Sequence, residues 1–222
     1  MINKDYLLRM AEKVGRALAT IIGLRQYNKD EEALIYIDDT LLKTVGLTSR
    51  FLNSLSEEML VKTISPLDTL NVEACLWIAS LLKAEGEIYE SQNNAQASYY
   101  RYHKALYLFL TLILHEPIAD DSDVYEEVDT LLNKLEDYEL PMTTKILLFA
   151  YYEHSGNYAR AEDTLFDLLE TDDEARQTSL LHERGQAFYA RLRAKSDADL
   201  LNGNFSREEV EEGIVQLNLD HA

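Results

Sequence analysis

Five histidines and forty carboxylates are the groups in this 222-residue chain best suited to bind a metal or move a proton. A zinc site needs imidazoles and acids at short fixed spacing, as in HExxH, where two ligands one helical turn apart share a face. His103, His115, His154, His182 and His221 stand in no such pattern, so no metal and no cofactor is expected. The sequence also lacks a GxSxG elbow, a Gly-rich phosphate loop and a GxGxxG fingerprint, the usual supports of acyl transfer, nucleotide hydrolysis and dinucleotide binding. An acid–base enzyme would have to assemble its groups in three dimensions, and Glu153, His154 and His182 converging in a closed pocket would be its signature. Among so many carboxylates chance pairs are common, and the sequence reads as non-enzymatic.

Tyr99, Tyr100, Arg101, Tyr102, His103 and Lys104 interleave aromatic and basic side chains, a composition able to stack on and neutralise nucleic acid. On a helix they point in different directions, with Tyr99, Tyr102 and Leu106 toward one face, which is a packing pattern. Net charge also argues against nucleic acid: at −19 the chain repels phosphate backbones, whose binding rests on Lys and Arg displacing counterions. The charge is uneven. Residues 1–26 hold five Lys or Arg against Asp5 and Glu12, whereas 116–139 form a solvated acidic run with Lys134 as its one base. The single cysteine, Cys75, fits a buried thiol in a reducing cytoplasm. Arg9, Glu12, Lys13 and Arg16 interrupt the apolar stretch from Leu7 to Ile22, so neither secretion nor integral membrane association is expected.

Such residues must be carried by helices. Strand-like alternation is nearly absent, while Leu, Ala, Glu and Lys recur at helical spacing between only three prolines. The fold class is therefore all-α, in one continuous body over 1–222. Periodicity and punctuation place helices at 5–22 with Gly23 as C-cap, 30–45, 54–64 capped by Ser54 or Ser56, 70–90 and 95–115. Further helices are expected at 123–135, 144–154, 158–169 and 173–194, with a Gly-Asn loop and a short acidic helix behind Ser206 in the tail at 196–222.

Two stretches within 70–170 resemble tetratricopeptide repeats. In GEIYESQNNAQASYYRYHKALYLF, Gly86 is the small residue where two helices approach, Asn93-Asn94 is the turn, and Ser98, Tyr102 and Ala105 face the partner helix. LLFAYYEHSGNYARAEDTLFDLL places Tyr152, Gly156, Tyr158, Ala161, Leu165 and Leu168 in the same order. Glu85 stands where the motif has an apolar residue, and Phe149 where it has a small one. The two turns are not a multiple of the usual ~34-residue period apart, so an irregular array of the right-handed superhelix type is expected. The chain as a whole resembles an uncharacterised Gram-positive bacterial family, a domain of unknown function with TPR-like helices. DYLLRMAEKVGRALATIIGL, EEALIYIDDTLLKTVGL, SLSEEML, LLKAEGEIYE and FSREEVEEGI carry that resemblance. It implies a fold and no reaction or ligand.

Repeat folds of this type bind extended peptides on the first helices of their pairs. By resemblance, Lys83, Glu87 and Glu90, with Ile146, Ala150, Glu153 and His154, would face such a groove. The expected function is a non-enzymatic, self-associating interaction module or scaffold with a protein or peptide partner. One alternative is an enzyme using Glu and His residues in a helical pocket. Another is a peptide-sensing regulator, suggested by the helix-turn-helix look of GLTSRFLNSLSEEML, against which acids outnumber bases from Asp30 to Ile64.

The first helix points to self-association. Projected at 100° per residue its apolar arc spans about 220°, twice what a single core requires. Leu7, Ala11, Val14, Leu18 and Ile21 make one seam, and Leu8, Gly15 and Ile22 make a second ridge with room for close approach. One ridge is expected on the chain's own repeats and the other on a second subunit.

Overall fold

A computed structural model describes residues 4–118, 122–171 and 175–219, without the side chains of residues 4–8, 175–178 and 219. Every regular element among them is helical, as the composition predicts. The chain forms two compact units, Met1–Glu139 and Leu140–Ala222.

The first unit contains α1 (Lys4–Gln26), α2 (Asp30–Thr44), α3 (Ser49–Ser54), α4 (Glu57–Thr63), a 3-10 turn at Pro66–Asp68, α5 (Val72–Ser91), α6 (Ala95–His115) and α7 (Asp123–Lys134). Its centre is the antiparallel α5–α6 pair, which is buried nearly all round because α1 and α2 pack on α5 while α4 and α7 pack on α6. Gly86 lets the pair close: a Cβ there would lie 2.7 Å from the ring of Tyr102. The turn between them places Asn93 in the left-handed region at φ 57°, and Asn94 Oδ1 accepts from the Ala97 N–H to start α6.

α1 is longer than its punctuation suggests. It runs through Gly23 to Gln26, and Asn28, at φ 56°, makes the turn into α2. Its buried row is Met10, Val14, Ala17 and Ile21; Ala11 is exposed and Leu18 half-buried, so Met10 and Ala17 take the places that projection gives to Ala11 and Leu18, while Val14 and Ile21 keep theirs. Of the second ridge, Gly15 and Ile22 are exposed, and Leu8 lies outside the residues with described side chains. The helix expected over 54–64 is α4, shorter at both ends, and α3 is a further helix ahead of it; Leu55 is extended (φ −86°, ψ 151°) between them, and each has its own cap, Thr48 for α3 and Ser56 for α4.

The second unit contains α8 (Met142–His154), α9 (Tyr158–Thr171), α10 (Ala175–Arg193), α11 (Asp197–Asn202) and α12 (Arg207–Leu219). Its core gathers Phe149, Tyr158, Ala161, Leu165 and Leu168 against Phe188, Tyr189, Leu192, Leu200 and Val210. Gly156, at φ 75°, turns α8 into α9. The tail contains one helix more than its sequence announces, since Ser196 and Asp199 form a capping box for α11 ahead of Gly203.

Candidate functional site

An open cleft of about 810 Å³ lies in the first unit, with α2 and α3 as walls and α5 and α6 as floor. Its base is polar. Glu85, only 4% exposed, accepts from Ser49 Oγ at 2.6 Å and from the Arg101 guanidinium at 3.3 Å. The guanidinium lies 4.7 Å over the Tyr89 ring, so carboxylate, guanidinium and phenol hold one another in place. Ser49 is fixed in turn because its N–H donates to Asp38 Oδ1 at 2.7 Å and Asn53 Nδ2 donates to its carbonyl at 2.9 Å. Two atoms at this base, the acceptor Asn53 Oδ1 and the donor Arg101 Nε, are shut off from solvent without a hydrogen-bond partner. The rim is mixed and open to solvent: Ile35, 68% exposed, and Leu42, 51% exposed, share a face of α2 with the exposed Asp39, and the exposed Arg50 of α3 also lines the opening.

This arrangement suits recognition better than proton transfer, because Glu85 is charge-paired. Its signal in the sequence is Glu85 itself, a carboxylate at an apolar position of the repeat motif, which requires partners when buried. Ser49 and Asn53 carried no such signal.

Four of the residues expected to face a peptide groove, Lys83, Glu87, Glu90 and Glu153, form ion pairs between helices. Lys83 pairs with Glu127 of α7 at 2.5 Å and Glu87 with Arg25 of α1 at 2.8 Å. Glu90 accepts from Lys134 of α7 at 2.7 Å and from Tyr102 Oη at 2.9 Å. Burial acts to raise the Glu90 carboxyl, but the Lys134 and Tyr102 hydrogen bonds outweigh it and hold the group below its ordinary range. In the second unit Ile146 and Ala150 are half-buried, Glu153 makes a two-pronged pair with Arg191 at 2.5 and 2.8 Å, and His154 is exposed at the end of α8.

The three groups of the acid–base hypothesis are therefore engaged separately: Glu153 by Arg191, His154 by solvent, and the buried His182 through Nε2 and the Leu217 carbonyl at 2.8 Å. A second polar cluster binds α4 to α6. Glu57 lies 3.3 Å from His103 Nδ1 and 3.1 Å from Lys104 Nζ, which also donates to the Leu55 carbonyl, and the Tyr99 ring stacks on His103. His103 and Lys104 are buried, and the cluster clamps α4 to α6. Cys75 is a fully buried thiol that burial pushes up to about 12. Among the described residues no group of three His, Cys, Asp or Glu is placed to hold a metal, and no helix is long and apolar enough to cross a membrane.

Comparison with known families decides the affiliation. The family of unknown function DUF6483 matches residues 1–220. The chain belongs to that family. No curated protein and no solved structure matches it. The family's description assigns no activity.

Proposed function

We propose that this member of the DUF6483 family is a non-enzymatic interaction module built of TPR-like helix pairs, which binds a short protein segment in the α2–α3–α5–α6 cleft and associates with itself through α1. The observation that carries this reading is the cleft: a buried, charge-paired base under a rim on which Ile35 and Leu42 stand exposed beside Asp39 and Arg50. Ile35 and Leu42 offer anchorage to apolar side chains, at roughly 1.5–3 kcal/mol for each one fully buried. The unmatched acceptor and donor at the base, Asn53 Oδ1 and Arg101 Nε, are the complement of a main-chain amide, which brings one N–H and one C=O. Access to them requires α3 to move against the Asp38 and Glu85 hydrogen bonds that hold Ser49 in its first turn. TPR-like character is supported by the Gly86–Tyr102 contact and by the turns at Asn93 and Gly156. The single, buried Cys75 is in keeping with a reducing, cytoplasmic setting.

The test is selection of binding segments from a displayed peptide library against the full-length protein, followed by affinity measurement on Ile35→Asp/Leu42→Asp. The expected result is selected segments with an apolar anchor whose affinity falls by about a hundredfold in the double variant. No selected segment, or equal binding by the double variant, removes the cleft from the reading.

A further inference from the structure

We propose that Asn202-Gly203, at the end of α11, is a modification site gated by the fold. The closed chain withholds it from deamidation, opening of α11 releases it, and the isoaspartate then formed keeps α11 from closing again on the α8–α9 turn. This goes beyond the binding reading and does not depend on it.

Asn202 is the one asparagine of the sequence that precedes a glycine, the neighbour whose nitrogen is least shielded by a side chain. In the reaction the Gly203 N–H gives its proton to hydroxide and the nitrogen attacks Cγ of Asn202. The new Cγ–N bond forms as the Cγ–Nδ2 bond breaks, and Nδ2 takes a proton from water and leaves as ammonia. Water then opens the five-membered imide. Addition at Cγ gives aspartate with the main chain unchanged. Addition at the former main-chain carbonyl gives isoaspartate, in which the chain runs through Cβ and Cγ.

The structure exposes one reactant and locks the other. Asn202 is exposed, so water and hydroxide reach its amide. Gly203 is buried, and its N–H donates to the Leu200 carbonyl at 2.9 Å and the Asp199 carbonyl at 3.3 Å. A nitrogen held this way keeps its proton, and ring closure needs a rotation at Asn202 that its helical backbone does not give. Attack therefore requires α11 to open. Six residues do not hold themselves as a helix; α11 is held by the Ser196–Asp199 capping box, by Asp197 paired with Arg207 at 2.8 Å, and by the burial of Leu200.

The product cannot return to the same place. The Gly203 carbonyl accepts from the Tyr158 N–H at 3.1 Å and the Ala159 N–H at 3.4 Å, at the start of α9. The fit has no slack, since an added Cβ on Gly203 would lie 2.2 Å from the Tyr158 ring and 2.4 Å from the Gly156 carbonyl. Isoaspartate lengthens the main chain by a carbon just ahead of this contact and hangs a carboxylate beside it, so the Gly203 carbonyl loses its two donors.

The experiment ages the full-length protein in mildly alkaline buffer and follows residue 202 by peptide mass spectrometry with isoaspartate-specific methylation. Wild type, Ser196→Ala, Arg207→Gln and Asn202→Gln are compared under native conditions, with wild type in guanidinium chloride as the open reference. Native wild type should react about tenfold or more slowly than the open reference. Ser196→Ala, which removes the cap and leaves 202 and 203 untouched, should react about fivefold faster than native wild type, and Arg207→Gln should act in the same sense. Asn202→Gln should gain no isoaspartate. Equal rates in native and open wild type, or native rates unchanged in both helix variants, overturn the gating. Hydrogen exchange on the aged protein should show lost protection at the Tyr158 and Ala159 amides, which Asn202→Asp retains. Protection kept after conversion to isoaspartate overturns the failure to close.

Discussion

Glu57 shows how one residue ties an element to the core. Burial acts to raise its carboxyl, but the His103 hydrogen bond, a bond to its own main chain and the charges of Lys104 and His103 overcome this and hold it at about 2. A carboxyl held low favours the folded state while ionised, so its contribution is full above the ordinary carboxylate range and is lost as pH falls toward 2. Glu57→Gln should therefore cost about 2 kcal/mol in urea unfolding at neutral pH, with the deficit shrinking between about pH 5 and pH 2. A deficit constant across that window would mean that Glu57 acts through packing alone. The glycines divide at the same scale. At Gly203 an added Cβ would meet the Tyr158 ring at 2.2 Å and the Gly156 carbonyl at 2.4 Å, so Gly203→Ala should destabilise by roughly 1–3 kcal/mol. Gly15→Ala, with open space around it in the monomer, should stabilise the dissociated protein by about 0.5–1 kcal/mol, and denaturation below the association range checks both.

At the scale of elements, the Glu85–Arg101 pair holds α3 to the central hairpin, since Glu85 accepts from Ser49 at the first turn of α3 and from Arg101 on α6. Removing the guanidinium leaves a buried carboxylate with Ser49 as its remaining hydrogen-bond donor. Arg101→Met should cost about 3 kcal/mol, while adding Glu85→Gln should recover part of that loss, as a double-mutant cycle on urea unfolding would measure. Equal and additive losses would mean that the two groups do not act as a pair. The split between α3 and α4 belongs here too: Ser56, placed by the sequence as one of two candidate caps, starts α4 alone, and Leu55 turns extended to separate the two short helices.

For the molecule as a whole, the dominant long-range term is its charge of −19. Self-repulsion opposes compaction, and salt screens it over a Debye length of about 8 Å near physiological ionic strength. The thermal midpoint should accordingly rise by a few degrees, roughly, between very low salt and ~0.5 M sodium chloride at neutral pH. A midpoint that falls with salt would indicate that the ion pairs joining α5 to α1 and α7 through Lys83, Glu87 and Glu90 outweigh the repulsion. Calorimetric scans at several salt concentrations distinguish the two.

Helix positions were legible in the sequence because they are local. Apolar period, Pro66, Pro117 and Pro141, and the Ser206 cap act within a few residues, and they place α5, α6, α7 and α12 close to their observed ends. The pairing of α5 with α6 was legible for a related reason: a short turn forces antiparallel neighbours, and Gly86 marks where they touch. What escaped was non-local. Lys83, Glu87 and Glu90 look like an open charged face on one helix, and only the arrival of Arg25, Glu127 and Lys134 from α1 and α7 turns that face into ion pairs. Glu85 declares from sequence that it needs partners, yet Ser49 lies 36 residues before it, so the base of the cleft exists only once α3 is packed. On α1 the sequence determined a helix too apolar for one contact, and tertiary structure decided which row the core takes and which it leaves uncovered, because burial depends on where α2 and α5 lie and period alone gives only the candidates.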